Sequence, residues 1–438
     1  MTGVRFDIET DRPLVRKESG TRYVLAKIVA PEGKPRQRPP VNLALVLDRS
    51  GSMGGDKIRL AKEAAIAAVR RLEPRDRIAV VFYDDRIDVV VPSAPATPET
   101  VRNAVRAIQE VDARGSTDLC GGWLRGCEQV AAAQATDAVS RVILLTDGLA
   151  NVGIVDPAQI CRHAGELRDR GVQTCTFGVG DDFDEHLLGA MADAGGRRFY
   201  NIESADQIPA FIEIEVGESL EVTLRDAFLR VGPATLAAVA PVAPFRIRRD
   251  GDDWVIDLGD LVSLQDMAVP LRVSFAAGFA GGTLFDPAKS TVGLTFVLEG
   301  ASGRQAEAVI QWRFASSREV EAQPRNRAVD RAVAEAYAAL ARREAGRLNR
   351  AGEFEAARLR LSGTGARISG YAGNDSFLND LARKLAEDAA AHAQQMTKRD
   401  LKTRYAASSY AMFSREPMGA SRRAPRPDGG GSKKTDAS

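Results

Sequence analysis

Histidine is scarce in this chain: His163, His186 and His392 are all there are, and no two are spaced as a His-based zinc motif, which argues against a zinc hydrolase. Cysteine is nearly as rare. Four residues (Cys120, Cys127, Cys161 and Cys175) are too few to staple 438 residues. The N-terminal stretch Met1 to Asp7 has no apolar core of the signal-peptide kind, so the expectation is reduced thiols in a cytoplasmic protein. No uninterrupted apolar run reaches about 18 residues, so no membrane-spanning helix is expected. An excess of either charge is also lacking. Sixty basic and 59 acidic side chains leave a net charge of +1, which argues against a nucleic-acid or membrane-surface binder. The remaining balance, 44% apolar and 27% charged, is that of a globular chain long enough for two or three domains.

The charge is balanced only in sum. Residues 41–216 carry 19 basic and 27 acidic side chains, net −8, and residues 316–438 carry 23 and 15, net +8. Opposite fields on two parts of one chain predict that they attract at low salt, within the chain or between chains. If they meet, Glu353, Glu355 or Asp375 is a carboxylate that the basic region could present to an acidic-domain site as a latch.

The texture of the sequence divides it into five parts. Residues 1–40 read as short strands, followed by the stiff connector Pro31, Pro35, Pro39 and Pro40. From 41 to 216, apolar runs of buried-strand length (Val41–Leu47, Arg77–Tyr83, Val142–Thr146, Val172–Val179) alternate with amphipathic helical stretches. Ile87 to Val91 reads as an edge strand closed by Pro92, and Thr97-Pro98-Glu99 as a capped helix start. The pattern predicts an α/β fold, a doubly wound, mostly parallel sheet with helices on both faces. Residues 217–315 are short strands at β-sandwich spacing, with Asp250-Gly251 as a hairpin turn. The α/β part is then inserted in that sandwich, with residues 1–40 supplying strands to it, or is followed by it. Residues 316–414 read as helices broken by Gly363, Gly365, Gly370 and Gly373, and 415–438 as a disordered tail.

The stretch Asp48-Arg49-Ser50-Gly51-Ser52 ends the first core strand of the α/β part, at the turn into a helix, where sites in open α/β sheets gather. Two more oxygen-bearing turns stand at matching places: Gly115-Ser116-Thr117-Asp118 before a helix, and Thr146-Asp147-Gly148 after a strand. Together they offer the oxygens of Asp48, Ser50, Ser52, Thr117 and Asp147, a set that suits a hard divalent cation such as Mg²⁺, with Mn²⁺ or Ca²⁺ as alternatives. Three neutral ligands would leave such a cation with residual positive charge and a call for an outside anion. Capped turns alone explain one such loop, but not three at matching positions.

D-x-S-x-S, a separate threonine and the aspartate of T-D-G resemble the metal-ion-dependent adhesion site of von Willebrand factor type A domains. The resemblance spans 41–216 and implies that Asp48, Ser50, Ser52, Thr117 and Asp147 hold the metal, directly or through water, while a partner's carboxylate completes the shell. With its flanking strands and helices, the chain also resembles bacterial proteins grouped with calcium-activated chloride channel-like and inter-alpha-trypsin inhibitor heavy-chain-like type A proteins. The function this implies is a non-enzymatic, metal-dependent protein-interaction scaffold whose partner offers an acidic residue. The alternative is a type A subunit serving a separate AAA+ ATPase of the MoxR or chelatase kind. An enzyme is disfavoured: G-x-S-x-G and G-x-x-x-x-G-K-[ST] are both missing at Ser50–Lys57, and no nucleophile or general base stands by the site. The acidic run 181–186 reads as a capped helix start, and the four cysteines as core thiols.

Overall fold

A computed structural model of the chain describes residues 3–16, 20–32, 39–135, 138–148, 150–180, 183–212, 215, 222–275, 291–397, 400–401, 404 and 416–417. The chain begins with three strands, β1 (Arg5–Thr10), β2 (Leu14–Arg16) and β3 (Gly20–Val29). It then enters the α/β region. There the elements run β4 (Val41–Asp48), α1 (Asp56–Arg70), β5 (Arg77–Tyr83), β6 (Ile87–Pro95), α2 (Pro98–Glu110), α3 (Leu119–Ala131), β7 (Val139–Thr146), α4 (Pro157–Asp169), β8 (Val172–Val179), α5 (Glu185–Ala194), β9 (Gly196–Ile202) and α6 (Ile208–Ile212).

These six strands form one sheet in the order β6-β5-β4-β7-β8-β9, parallel except for the edge pair β5–β6. Every residue of β4 is buried, because helices cover both faces. Strand alternation divides its side chains: Leu43, Leu45 and Leu47 pack with α1, α2 and α6, while Ala44 and Val46 pack with α3, α4 and α5. Pro92 does not close β6, contrary to the sequence expectation. The strand continues to Pro95, which pairs with Arg77. An edge strand has one side without ladder partners, so a proline there costs no hydrogen bond.

The chain then resumes β structure with β10 (Val222–Gly232), β11 (Ala238–Pro241), β12 (Ile247–Asp250), β13 (Asp253–Val262), β14 (Gln265–Phe275), β15 (Thr291–Gly300) and β16 (Gly303–Ala315). The hairpin at Asp250-Gly251 is present, with Asp250 opposite Asp253. One sheet follows the order β1-β3-β14-β11 and the other β12-β13-β10-β15-β16-β2. Strands before the α/β region therefore pair with strands after it: β3 with β14 antiparallel over ten residue pairs, and β2 with β16 parallel. The two sheets share one apolar cluster, with Ala26, Ile28, Val269 and Leu271 from one and Leu229, Ile256, Phe296 and Trp312 from the other.

Among the described residues the helices α7 (Ser317–Ala322), α8 (Arg327–Arg350), α9 (Phe354–Ala372) and α10 (Ser376–His392) follow. Gly363, Gly365 and Gly370, read from the sequence as breakers, lie inside α9; only Gly373 ends it. The expected helix 398–413 and the tail 415–438 fall almost wholly outside the described residues. The 24-residue α8 touches both other parts of the molecule. Its first half seats Val329 and Val333 on Leu25 of β3, with the Tyr23 and Tyr337 rings edge to face at 6.1 Å. Its second half faces α5: Arg343 pairs with Asp193 at 2.9 Å, and Arg350 with Asp184 at 3.2 Å and with buried Glu185. The basic C-terminal part thus meets the acidic α/β part within one chain.

Candidate metal centre

The first turn after β4 is folded by its own aspartate. Asp48 Oδ1 accepts the Ser50 backbone N–H at 2.7 Å, and Met53, fully buried, anchors the single 3₁₀ turn Gly51–Met53. Two backbone bonds strap the 114–117 loop onto it: Arg114 N to Arg49 O at 2.6 Å and Gly51 N to Gly115 O at 3.0 Å. Below them, Arg49 Nε and Arg114 Nε both donate to Asp84 Oδ2, at 2.9 and 2.8 Å. Burial works to raise the Asp84 carboxyl, but the bonds from Arg114, the Arg86 amide and Arg49 hold it below the usual carboxylate range.

The five residues singled out in the sequence come together at the C-terminal edge of β4 and β7. Ser50 Oγ lies 3.1 Å from Ser52 Oγ, and Ser52 Oγ donates to Asp147 Oδ1 at 2.9 Å. Thr117 closes the set from the third loop. A Cβ on Gly148 would lie 3.3 Å from Asp48 Oδ2 and 3.4 Å from Thr117 Oγ1, so both oxygens border that glycine. Asp48, Ser50, Thr117 and Asp147 are buried, and Ser52 is exposed, which leaves the cluster open to solvent on one side. Burial raises the Asp48 carboxyl, against the pull of hydrogen bonds from Thr146 and Ser50.

This donor set fits a hard cation. All five groups offer oxygen, and an octahedral shell with ligands at about 2.1 Å sets neighbouring oxygens about 3.0 Å apart. The serine–serine and serine–aspartate separations match that edge. Among the described residues no group of three or more His, Cys, Asp or Glu side chains is placed to hold a metal; this cluster has two carboxylates, and its other oxygens are hydroxyls.

Three contributors were not anticipated. Thr146 Oγ1 donates to Asp48 Oδ2 at 2.6 Å and accepts the Gly148 N–H at 3.0 Å, which locks the two aspartate loops together. Tyr83 is fully buried beneath them, and burial with the nearby Asp48 and Asp147 charges pushes its hydroxyl well up. Lys57, in the first turn of α1, sets Nζ 2.5 Å from Asp147 Oδ2. Thr146 is visible in the T-D-G motif itself; Lys57 and Tyr83 leave no local signal, since only the fold brings them to the site.

The von Willebrand factor type A domain model matches residues 42–214. The chain contains a type A domain. Its relatives include the uncharacterized protein YfbK of Escherichia coli, 29% identical over 53% of this chain and 42% of that one. A Synechocystis protein, sll0103, is 31% identical over 54% and 58%. Human inter-alpha-trypsin inhibitor heavy chain H3 is 29% identical over 42% of this chain and 22% of its own. The chain thus spans about half the length of the first two relatives. Its fold is similar along nearly its whole length to a type A protein from Catenulispora acidiphila (TM-score 0.68, 19% identity, 93% of this chain and 97% of that one). The ArnB paralog VWA2 from Sulfolobus acidocaldarius is also similar in fold (TM-score 0.60, 15% identity, 94% and 100%). Type A domains mediate protein–protein interactions and often bind a divalent metal. No helix among the described residues is long and apolar enough to cross a membrane.

Two of the three carboxylates considered as a latch are used elsewhere. Asp375 caps α10 and pairs with Arg331 at 3.0 Å, and Glu355 pairs with Arg358 at 2.6 Å. Glu353 stands exposed at the start of α9. Among the described residues, no hydrogen bond joins any of the three to the cluster. The acidic run is a capped helix start where it is described: Asp184 accepts from the His186 and Leu187 amides at 2.9 and 3.1 Å. All four cysteines are free thiols; Cys120, Cys127 and Cys175 are buried, and burial pushes Cys120 up to about 11.

Proposed function

We propose that the chain is a non-enzymatic, metal-dependent protein-interaction scaffold. In this reading, Asp48, Ser50, Ser52, Thr117 and Asp147 hold one Mg²⁺, or Mn²⁺ or Ca²⁺ in its place, and an acidic side chain of a partner protein completes its shell. One observation carries it: five oxygen-bearing side chains from three loops converge on a spot that opens to solvent at Ser52, with the Ser50–Ser52 and Ser52–Asp147 oxygens 3.1 and 2.9 Å apart. The two aspartates offset a 2+ charge only when both are fully available, and three hydroxyl ligands add nothing to that balance. A cation so held attracts a further carboxylate.

Calorimetry with Mn²⁺ on the wild type, Asp48→Ala and Asp147→Ala tests this. Loss of a residue that merely supports a metal ligand costs roughly ten- to a hundred-fold in affinity, and loss of a ligand should cost at least as much. The wild type should bind one ion and both variants bind it far more weakly. Unchanged affinity in both would end the metal reading. Affinity capture with Mg²⁺ and again with EDTA then identifies the partner, and recovery of an AAA+ ATPase only with Mg²⁺ would favour the remodelling-subunit alternative.

A further inference from the structure

Lys57 places a fixed positive charge on one of the two carboxylates that the metal would use. Its Nζ lies 2.5 Å from Asp147 Oδ2, while Oδ1 of the same carboxylate accepts Ser52 Oγ at 2.9 Å. Asp147 is fully buried and the Lys57 side chain 23% exposed, so the pair is largely shielded from solvent. The approach is built into the fold at two places. The N-terminal turn of α1 aims the lysine back over the sheet edge, and Gly180, at the end of β8, leaves room for its stem. Gly180 has φ +76°, and a Cβ there would come within 2.9 Å of the Lys57 Cε and 3.1 Å of its Cγ. A side chain at 180 would therefore collide with the lysine along its length.

From this geometry we infer that Lys57 is a built-in counter-ion of the metal site, one that sets how tightly the site holds a divalent cation. The inference rests on the metal reading and adds to it. With Lys57 neutralising Asp147, the cation has Asp48 as its one uncompensated carboxylate inside the protein. It is then held less tightly, keeps more of its charge, and depends more on a carboxylate from outside. Without a cation, the same lysine keeps buried Asp147 from being an unpaired charge, which is costly in a protein interior.

The test uses the full chain with Mn²⁺ as the probe and compares the wild type with Lys57→Met and Lys57→Arg. A unit charge a few ångströms from a divalent ion, even heavily screened, is worth about tenfold in affinity. Lys57→Met should bind Mn²⁺ about tenfold more tightly than wild type. Lys57→Arg, which keeps the charge, should stay within about twofold. Thermal melts supply a readout independent of affinity: in EDTA Lys57→Met should melt below the wild type, and saturating Mn²⁺ should abolish the difference. Wild-type binding with equal or weaker binding by Lys57→Met overturns the inference and leaves the metal reading standing. Binding by Lys57→Met alone supports the inference in its strongest form. Failure of all three proteins to bind overturns the metal reading itself.

Discussion

Thr146 shows how much of the site is held by a residue that binds nothing itself. Its hydroxyl donates to Asp48 Oδ2 and accepts from the Gly148 amide, so it ties the end of β4 to the turn after β7 inside a fully buried setting. Thr146→Val keeps the shape and removes both bonds. A buried carboxylate oxygen and a buried amide lose their partner at once, at a cost of about 1–3 kcal/mol per unsatisfied group. Urea denaturation in EDTA should show stability falling by about 2 kcal/mol or more. A smaller loss in Mn²⁺ than in EDTA would show that the cation takes over part of the work of orienting Asp48.

At the scale of elements, the helical region shows why glycine is an unreliable stop signal. Gly363 and Gly365 lie two residues apart in α9 but face different surroundings. A Cβ at 365 would meet Ala382 O at 3.3 Å and Leu385 Cβ at 3.4 Å, so the glycine is where α9 and α10 approach closely. A Cβ at 363 would meet nothing within 4 Å. Glycine inside a helix costs about 0.5–1 kcal/mol relative to alanine, so Gly363→Ala should stabilise the protein by about that amount. Gly365→Leu should instead push α9 off α10 and destabilise it by about 1–3 kcal/mol, the usual cost of overpacking. Thermal melts of the two variants, with α-helical circular dichroism as the signal, would separate the effects. Equal shifts would mean that the helices are not in tight contact at 365.

At the scale of the whole molecule, two ionisable groups, His186 half-buried and Glu215 fully buried, sit where its parts join. His186 lies between α5 and α8. Burial first, then the charges of Arg350, Arg343 and Arg347, lower its pKa to about 4 against the opposing pull of Asp184. Glu215 lies where the chain leaves the α/β region. Burial would raise its carboxyl, but Arg197, Arg141, Arg198 and the Tyr200 hydroxyl at 2.8 Å bring it down to about 2. Both shifts act in the same direction. Over the window between the folded and unfolded pKa, the unfolded chain binds a proton that the folded chain does not, so stability falls as pH falls. The His186 contribution is complete above about pH 6.5 and is lost between there and pH 4; that of Glu215 is complete above about pH 4.5 and is lost towards pH 2. Stability measured by urea from pH 8 to pH 4 should therefore begin to decline near pH 6.5. In His186→Gln the decline from pH 6.5 should be shallower, and what remains there comes from His392, whose pKa burial also lowers. A profile of His186→Gln that overlays the wild type would rule out the histidine as its source.

The sequence by itself determined the local content of this protein. The apolar run of β4 and the oxygen-bearing turns after it and after β7 could be read directly, because strand period, turn chemistry and ligand type are properties of neighbouring residues. The five positions that the structure brings together at the edge of β4 and β7 were readable for the same reason. The opposed charges of the α/β and helical parts foretold their attraction, but not its form: a few arginines on α8 meeting the acids of α5, with no hydrogen bond among the described residues from Glu353, Glu355 or Asp375 to the candidate site. Contacts that span the chain needed the tertiary structure. Trp312 Nε1 donates to Thr10 Oγ1 at 2.9 Å across 302 residues, and nothing in either neighbourhood encodes that pairing. The tertiary structure also decided that Pro92 stays within a strand, because it lies on the sheet edge, and that Gly365 stays within a helix, because another helix needs its space. It brought Lys57 to Asp147 as well, since a lysine in the first turn of a helix reaches an aspartate 90 residues on only after the sheet has placed β4 beside β7.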